Sequence, residues 1–362
     1  MAIYSTPNVK FAGISACVPK DIAHNKDYKW IGEKERNNLI KTIGVESKHH
    51  VKKGTTTSDL CYVAADGLIK KLGWNRDEID LLIFVSQSRD YLLPATSCIL
   101  QERLGLSQTC VALDVDMGCS GYNYGLSVAS GMMTNGGIRK ALLLTGDVSS
   151  IGSKRDKTVY PLFGDAGTAT ALEYKKGAPD IWFNLQTDGK GYRAIIIPEG
   201  GFRKFPTKKT FDYKSYGKGI IRSEGHVFLD GIEVFNFSLR EVAPNIKKML
   251  KHTGKEIKDF DYFVFHQANK LMNNTIRRIL KIDKEKFPFS LTNYGNTSSA
   301  SIPLTIVTQL RKEVETKKLN IILAGFGVGL SWGSNIIELD KITCPKIFIY
   351  EDYKEKYGVK QI

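Results

Sequence analysis

The chain has 362 residues, of which 42% are hydrophobic and 10% aromatic, enough to bury a substantial core and to form two domains or one duplicated unit. Its 52 Lys and Arg residues outnumber its 38 Asp and Glu residues, and the resulting net charge of +14 favours an acidic partner. The basic residues follow no nucleic-acid-binding pattern and no apolar stretch has the length of a membrane span, so we expect neither nucleic acid nor a membrane as a partner.

The cysteines and the N-terminus indicate the compartment. Six cysteines are scattered along the chain without the paired spacing of a zinc site or a disulfide framework. The N-terminus lacks the charged start and apolar core of a signal peptide. We therefore expect an unprocessed cytoplasmic protein with reduced thiols and no metal site.

Strand and helix patterns alternate along the first half of the chain. The strand predicted at Ile79–Val85 is apolar at every position from Leu81 onward, which favours a parallel strand covered on both faces. Four strands are predicted in this half, at Val9–Ile14, Ile79–Val85, the segment of Ala112 and Ala141–Leu144. The predicted helical regions are Asn25–Ile43, Ser58–Leu72 before Gly73, Pro94–Leu104 and the helix after Cys119.

The second half repeats this order. Residues 251–265 (KHTGKEIKDFDYFVF) echo residues 70–84 (KKLGWNRDEIDLLIF) as helix, glycine, charged turn and apolar strand. Each half then has a related turn, which holds Cys119 in the first half and Asn296 in the second. Because ligand sites in open α/β sheets lie beyond the carboxyl ends of the strands, we expect both turns at one cleft of a layered α/β structure.

Two segments fall outside the repeat. Residues 175–225 are rich in glycine and lysine and are predicted to form long surface connections. Residues 341–362 have no counterpart in the repeat and no assigned role. We predict an N-terminal half at residues 1–178, a C-terminal half at residues 179–340 and an extension at residues 341–362.

Cys119 lies at the turn between an apolar strand and a helix. The unpaired N–H groups and the positive dipole end of the first helical turn favour its thiolate, so Cys119 is a candidate nucleophile. The alternative is a small buried hydrophobe, which is what a single cysteine usually is. Glycines at positions 118, 121 and 125 favour the nucleophile, because they allow backbone to approach the sulfur closely.

Five motifs occur in one order around the duplication. They are DMGCSGYNYGL with Cys119, FGDAGTA at residues 163–169, FHQAN with His266, NYGNTSSASIP with Asn296, and the closing GFGVGLSWGS. Together they resemble the β-ketoacyl-acyl-carrier-protein synthase III family of the thiolase superfamily, over about residues 9–339. The resemblance implies a thiolase-like fold, in which two duplicated halves form α-β-α-β-α layers.

The resemblance also implies a chemistry. Cys119 would take an acyl group from a thioester, with the oxyanion held by the backbone N–H groups of Cys119 and Val328. His266 and Asn296 would donate hydrogen bonds to the enolate oxygen that forms when a malonyl thioester loses carbon dioxide. The reaction would be the decarboxylative condensation of an acyl thioester with malonyl-acyl-carrier protein. Coenzyme A or phosphopantetheine thioesters would be substrates, and no cofactor is expected.

The same residues distinguish related activities. Thiolases proper have a second cysteine in the closing glycine-rich loop, and hydroxymethylglutaryl-CoA synthases have a glutamate where Ser86–Arg89 stands, so both are disfavoured. A non-decarboxylating acyltransferase that acylates an alcohol or amine is the alternative. An inactive partner subunit is less favoured because Cys119 is present.

Nucleotide recognition departs from the family pattern. Where the family has a tryptophan-containing Asp-Glu-Trp-Ile segment that stacks on adenine, this chain has Asn37–Ile40, and Trp30 lies too early in the sequence to replace that tryptophan. Lys157 replaces an arginine beside the nucleotide, which keeps the charge and loses the bidentate fork. Lys157 is therefore a candidate nucleotide contact.

The resemblance further implies a homodimer joined through the strand of the Ala112 segment. Leu93 would reach the acyl pocket of the partner subunit, and Phe326 would line the acyl tunnel.

The helix after His266 is predicted to dock the acidic acyl-carrier protein. Its two faces differ in character, although an ordinary solvated face has the same pattern. The cationic face holds Lys270, Arg277 and Lys281, and the opposite, buried face holds Met272, Ile276, Ile279 and Leu280.

Overall fold

The computed structural model describes residues 3–149 and 152–359. The strands of this part of the chain are β1 to β17 (Ile3–Thr6, Val9–Val18, Ile22–His24, Ser47–His49, Leu81–Val85, Val111–Val115, Lys140–Asp147, Ala166–Tyr174, Ile181–Thr187, Ile195–Ile196, Lys214–Ser215, Ile221–Arg222, Phe228–Leu229, Tyr262–Phe265, Lys318–Gly327, Ser331–Asp340 and Phe348–Ile349). Its helices are α1 to α10 (Glu33–Ile43, Thr57–Leu72, Thr96–Arg103, Gly121–Met133, Gly231–Thr253, Lys270–Ile279, Leu291–Tyr294, Ser301–Gln309, Arg311–Thr316 and Tyr350–Tyr357). Among the described residues, no helix is both long enough and apolar enough to cross a membrane.

Two large sheets organise the molecule. The first has the strand order β17-β2-β8-β7-β5-β6, and the second has the order β1-β9-β16-β15-β14. The predicted parallel pairing is confirmed for β5 with β6 and β7, and β14 also pairs in parallel with β15. Strands β8, β9 and β16 pair antiparallel with their neighbours, so both sheets are mixed. β15 returns directly into β16 across three residues, and so short a connection permits only antiparallel pairing.

The internal duplication appears as one strand order used twice. The set β2-β8-β7-β5 in the first sheet corresponds to β9-β16-β15-β14 in the second. In both halves a helix ends at a glycine in the left-handed conformation, with φ 64° at Gly73 and φ 66° at Gly254. A 3-10 turn and a buried strand follow each glycine. The predicted repeat of helix, glycine, turn and strand is thus confirmed.

The helices and the sheets form five layers. Helices α4 and α8 contact strands of both sheets and therefore lie between them. Helices α2 and α3 cover the other face of the first sheet, and α5 covers the other face of the second sheet. Alternate residues of β5 show this division, because Ile83 packs in the central core and Phe84 packs in the core beneath α2. This is the predicted thiolase-like α-β-α-β-α fold.

Part of the segment at residues 175–225 is a core strand. β9 lies between β1 and β16, and its residues Phe183 and Asn184 are fully buried. The expectation of surface connections throughout this segment is therefore wrong for Ile181–Thr187. The apolar alternation covers only these few residues, and the surrounding glycines and lysines concealed it.

Two predicted helices begin later than expected. The polar region from Asn25 contains one 3-10 turn and then α1 from Glu33. The helix predicted to begin at Pro94 starts at Thr96, where the first two N–H groups each donate to the Asp114 carboxylate at 2.7 Å. A carboxylate at this position satisfies unpaired amides and complements the helix dipole. A side chain distant in sequence thus fixes this helix start.

The two ends of the chain join sheets of opposite halves. β1 pairs with β9 at the edge of the second sheet, and β17 pairs with β2 at the edge of the first. Helix α10 packs on α2, where the hydroxyl of Tyr353 donates to the buried Asp66 carboxylate at 2.6 Å. Residues 341–359 therefore extend the first sheet, whereas residues 360–362 lie outside the described part. The division into three predicted units stays a prediction.

Candidate active site

Cys119 lies in the loop between β6 and α4, at the helix end that points between the two sheets. It is 7% exposed, and the adjacent Ser120 hydroxyl lies 2.6 Å from the hydroxyl of Ser331, which follows the closing glycine-rich loop. A Cβ atom on Gly327 would lie 2.8 Å from the sulfur of Cys119. Only a glycine permits this approach, so the end of β15 forms one wall around the sulfur.

Two of the three glycines near Cys119 have another role than predicted. A Cβ atom on Gly121 or Gly125 would lie 2.7 Å from the side chain of Val85, so these glycines allow α4 to pack closely on β5. The expectation that the glycines bring backbone to the sulfur is therefore wrong for Gly121 and Gly125. Gly118 makes room for the side chain of Val328, whose backbone approaches the sulfur, as does the backbone of Gly327.

The sulfur of Cys119 meets several hydrogen-bond donors. Its own backbone N–H, the backbone of Val328 and the side chain of Ser298 all favour the thiolate. Burial outweighs them and raises the pKa of the Cys119 thiol to about 11, with the Asp147 carboxylate adding to the rise. The expected preference for the thiolate is therefore wrong for the unacylated thiol, because a buried charge loses more solvation than these donors return.

His266 follows β14 and is 1% exposed. Its Nδ1 lies 2.7 Å from the hydroxyl of Ser301, which itself accepts the N–H of Gln267 at 3.3 Å. A hydrogen bond from the Ser301 hydroxyl to Nδ1 would place the imidazole proton on Nε2. Burial lowers the pKa of His266 to about 3, although contact with the Ser298 backbone opposes the shift. At neutral pH the ring is an uncharged hydrogen-bond donor.

Asn296 is fixed by its backbone and by one side-chain oxygen. Its backbone N–H donates to the Leu162 carbonyl at 2.9 Å, and its backbone carbonyl accepts from the N–H of Gly164 at 3.0 Å. The second bond connects the motif of Asn296 to the motif of Gly164. Its Oδ1 accepts from the N–H of Ser298 at 2.9 Å. Among the described residues, Nδ2 makes only a long contact of 3.5 Å with the Ala268 carbonyl. The amide nitrogen is thus the group that Asn296 offers to a ligand.

The three predicted catalytic side chains line one cavity. Cys119, His266 and Asn296 share its wall with Phe326, which is 1% exposed and packs edge-to-face on His266 at 5.6 Å between ring centroids. A neighbouring cavity shares Cys119 and Asn296, and Val328 lines that second space. Leu93 is 78% exposed and lines neither cavity.

Asp147 is a half-buried carboxylate that the sequence analysis did not assign to the site. It lines the second cavity together with Cys119, and burial raises its pKa. The only signal was its position after a predicted strand, at the edge where the site forms. Its oxygens accept hydrogen bonds at 2.8 to 3.3 Å from the N–H of Gln87 and from the hydroxyls of Ser86, Ser88 and Ser299.

Lys157 lies beside Trp30 in space. Its Nζ is 2.6 Å from the Glu35 carboxylate, and its stem contacts Gly219, whose carbonyl accepts the indole N–H of Trp30 at 3.0 Å. The guanidinium of Arg155 stands over the ring of Trp30 at 5.9 Å. Sequence position excluded Trp30 from this region, but the loop before α1 brings the indole to it.

The predicted docking helix is only partly as expected. Lys270 is exposed at its first turn, but Arg277 is half-buried and donates to the Ile282 carbonyl at 2.6 Å. The helix ends at Ile279, which is 42% exposed rather than buried. Lys281 follows in a left-handed conformation with φ 56° and therefore leaves the predicted helical face. The predicted helix ran past Ile279, which misplaced Lys281, and Ile279 faces outward in the last turn.

Comparison with known proteins agrees with this geometry. The family model described as 3-oxoacyl-[acyl-carrier-protein] synthase III matches residues 113–189, and the model of its C-terminal part matches residues 250–339. The chain is 32% identical to the β-ketoacyl-[acyl-carrier-protein] synthase III of Natranaerobius thermophilus, over 91% of this chain and 99% of the relative. It is also 32% identical to the synthase III of Clostridium tetani, over 83% of this chain and 90% of the relative.

A solved structure extends the likeness to the whole fold. The crystal structure of a 3-oxoacyl-(acyl-carrier protein) synthase from Burkholderia xenovorans LB400 matches with a TM-score of 0.90 and 36% sequence identity. The match covers 96% of this chain and 99% of that one. Cys119, His266 and Asn296 all lie in the ranges that the two family models match. The chain therefore belongs to the β-ketoacyl-acyl-carrier-protein synthase III family, the condensing enzymes of the thiolase superfamily that act in fatty-acid biosynthesis.

Proposed function

We propose that Cys119, His266 and Asn296 carry out the decarboxylative condensation of an acyl thioester with malonyl-acyl-carrier protein. One observation carries this proposal: a buried thiol faces two backbone N–H groups in a cavity that an uncharged histidine and an asparagine amide share. The three side chains come from opposite halves of the duplication, and the cleft between the halves is where open α/β sheets bind ligands.

In the first half-reaction the sulfur of Cys119 attacks the carbonyl carbon of the acyl thioester. The N–H groups of Cys119 and Val328 hold the oxyanion of the tetrahedral intermediate. The intermediate then expels the thiolate of the donor, which takes the proton that the cysteine lost. The products are acyl-Cys119 and a free thiol.

In the second half-reaction the malonyl thioester loses carbon dioxide. Negative charge moves to its thioester oxygen, where the Nε2 proton of His266 and the Nδ2 protons of Asn296 stabilise it. The enolate carbon attacks the carbonyl of acyl-Cys119 and forms the new carbon–carbon bond. The departing thiolate of Cys119 takes one proton from solvent, which leaves the β-ketoacyl product, carbon dioxide and the resting thiol.

The two half-reactions can be tested separately. His266→Ala and Asn296→Ala should abolish carbon dioxide release from malonyl thioester while intact mass still detects the acyl adduct on Cys119. Cys119→Ala should lose the adduct, and Cys98→Ala, which changes an exposed cysteine, should keep it. Condensation at the parent rate in either of the first two variants would overturn the assigned roles.

We further propose coenzyme A as the carrier of the acyl donor, with Lys157 as a nucleotide contact. Trp30 offers an indole that is 38% exposed, and the guanidinium of Arg155 stands above it. An exposed aromatic face beside cations matches the chemistry of an adenine ring with attached phosphates. Trp30→Ala should raise the KM for acyl-CoA and leave acylation by a short thioester without a nucleotide unchanged. Equal effects on both donors would contradict this proposal.

Two copies of the chain are proposed to pair through β6. This strand lies at the edge of the first sheet, its residue Val111 is 45% exposed, and the nearby Leu93 is also exposed, as a contact to a partner's acyl pocket requires. An exposed edge strand offers unpaired backbone groups to a second copy. Sedimentation velocity should give twice the 40.5 kDa mass of one chain, and a monomer at all concentrations would refute the pairing.

The cytoplasm is the proposed compartment, because all six cysteines are free thiols.

A further inference from the structure

An exposed aromatic loop projects from the region of the active site. It comprises residues 197–227, between β10 and β13, and we refer to it as the aromatic loop. Phe202 is 83% exposed, and Phe205 and Phe211 are each 64% exposed. Large apolar side chains grouped on a surface in this way mark an interaction site more often than a solvated face.

The aromatic loop holds its shape through its own hydrogen bonds. Gly200 donates its N–H to the Lys204 carbonyl at 2.9 Å, and the hydroxyl of Thr210 donates to the Glu199 carboxylate at 2.6 Å. Thr207 and Thr210 form a capping box around a 3-10 turn. The exposed phenylalanines are therefore presented on an ordered backbone, and ordering the loop adds little to the cost of binding a partner.

The same surface is strongly cationic. Lys204 lies 3.9 Å from the Glu199 carboxylate, Lys214 lies 3.5 Å from Glu224, and the buried Arg222 pairs with Asp156 at 3.1 Å. The other cations of the loop have no ion pair among the described residues. Aromatic anchors surrounded by unpaired cations fit an acidic protein surface. Between positions 202 and 218 the cations are Arg203, Lys204, Lys208, Lys209, Lys214 and Lys218, against the single carboxylate of Asp212.

The base of the aromatic loop reaches the catalytic cysteine. Ile195 in β10 lines both cavities that contain Cys119, and Val227 and Leu229 from the returning strand each line one of them. Met272 of α6 lines the same cavity as Ile195 and Leu229, so the two strands that flank the aromatic loop and the start of α6 border a common space. A partner bound to the aromatic loop is thus beside the route to Cys119.

We propose that the aromatic loop is a docking surface for the acidic acyl-carrier protein, with Phe202 and Phe205 as apolar anchors and Lys208 and Lys209 as cationic contacts. This inference rests on the proposed function, which requires a carrier protein to bring its phosphopantetheine arm to Cys119. An anionic membrane would also attract cations and aromatics. We favour the carrier protein because the surface adjoins the cavity that its arm must enter.

The test compares two substrates in two variants. Phe202→Ser with Phe205→Ser, and Lys208→Glu with Lys209→Glu, should each raise the KM for malonyl-carrier protein about tenfold or more. The effect of the charge reversal should shrink at high salt. Acylation of Cys119 by a short thioester without a nucleotide should be unchanged. The matched control is Lys247→Glu with Lys248→Glu, which reverses two exposed charges on α5 and should change neither value.

Several outcomes would overturn the proposal. Equal losses with carrier-bound and short thioesters would mean that the aromatic loop supports the site structurally, and no change with either would exclude it as a docking surface. Co-sedimentation with phosphatidylglycerol vesicles that the variants abolish, with an unchanged KM for the carrier protein, would identify a membrane surface instead.

A binding measurement separates this proposal from the proposed reaction. Titration of the full chain with holo-acyl-carrier protein needs no turnover. If the parent releases no carbon dioxide but binds the carrier protein through the aromatic loop, the reaction is wrong and the docking surface stands. If the parent condenses normally and both loop variants bind the carrier protein as the parent does, the docking surface is wrong.

Discussion

The reactivity of Cys119 depends on a balance between burial and hydrogen bonding. A thiol with a pKa of about 11 is ionised to about one part in a thousand at pH 8, whereas an ordinary cysteine with a pKa of about 8.5 is ionised to about one quarter. Alkylation of unacylated Cys119 by iodoacetamide should therefore be about two hundred times slower than that of an ordinary exposed thiol. Its rate should rise about tenfold per pH unit up to pH 10.

Ser298→Ala is the perturbation that tests the cause. A hydrogen bond to a charged group contributes about 1.5–3 kcal/mol, and 1.36 kcal/mol corresponds to one pKa unit. Without the Ser298 hydroxyl, the pKa of Cys119 should rise further and alkylation at a fixed pH should slow by about ten- to a hundredfold. The matched control is Thr297→Ala, because the Thr297 hydroxyl is buried without a hydrogen-bond partner among the described residues.

The assay follows intact mass in a Cys98→Ser background, which removes the exposed cysteine. Rates are measured from pH 7 to pH 10 with and without an acyl thioester. A plateau of the alkylation rate below pH 9 in the parent would show that the thiolate of unacylated Cys119 is already stable. Identical profiles for Ser298→Ala and the parent would show that the hydroxyl does not support the sulfur, and either result would refute the reasoning.

Three further outcomes are expected. Gly327→Ala would place a Cβ atom 2.6 Å from the Cβ of Cys119, so acylation should be lost and overpacking should lower stability by about 1–3 kcal/mol, as measured by intact mass and urea unfolding. The rate of carbon dioxide release should not fall through protonation of His266 between pH 8 and pH 5, because burial lowers the pKa of His266 to about 3 and the ring stays neutral. A fall in this rate with a midpoint near pH 6.5 that involves His266 would contradict the prediction. Tyr353→Phe removes the donor to the buried Asp66 and should cost about 1–3 kcal/mol in urea unfolding, with unchanged acylation; an unaffected midpoint would mean that α10 adds nothing to the first sheet.

The repeat and the positions of the three catalytic candidates could be predicted from sequence. Glycine at a helix end, the charged turn and the apolar strand are local features, because each depends on backbone conformations and side-chain periods within a few residues. Cys119, His266 and Asn296 each follow a strand or turn of this repeat. Strand ends meet at one edge of a parallel pair, so their convergence in one cavity also followed from topology.

Strands with weak local signals required the tertiary structure. β9 is short and lies among glycines and lysines, and its burial arises only because β1 and β16 pair on either side of it. The antiparallel pairing of β8 likewise depends on contacts between segments far apart in sequence. Local periodicity does not specify which strand becomes a neighbour.

The electrostatics of the site were also decided by tertiary structure. A helix start predicts donors to the sulfur of Cys119, and such donors are present, but the pKa depends on how completely the surrounding chain excludes water. Asp147 is held beside the site by hydrogen bonds from Gln87 and Ser299, which belong to distant segments of the chain. Trp30 reaches Lys157 through a loop whose path the sequence does not reveal. Which reactive groups lie at strand ends could thus be predicted from the sequence, since that is a local property. Their protonation states and their neighbouring side chains could not, because solvation and Coulomb interactions depend on every segment that packs nearby.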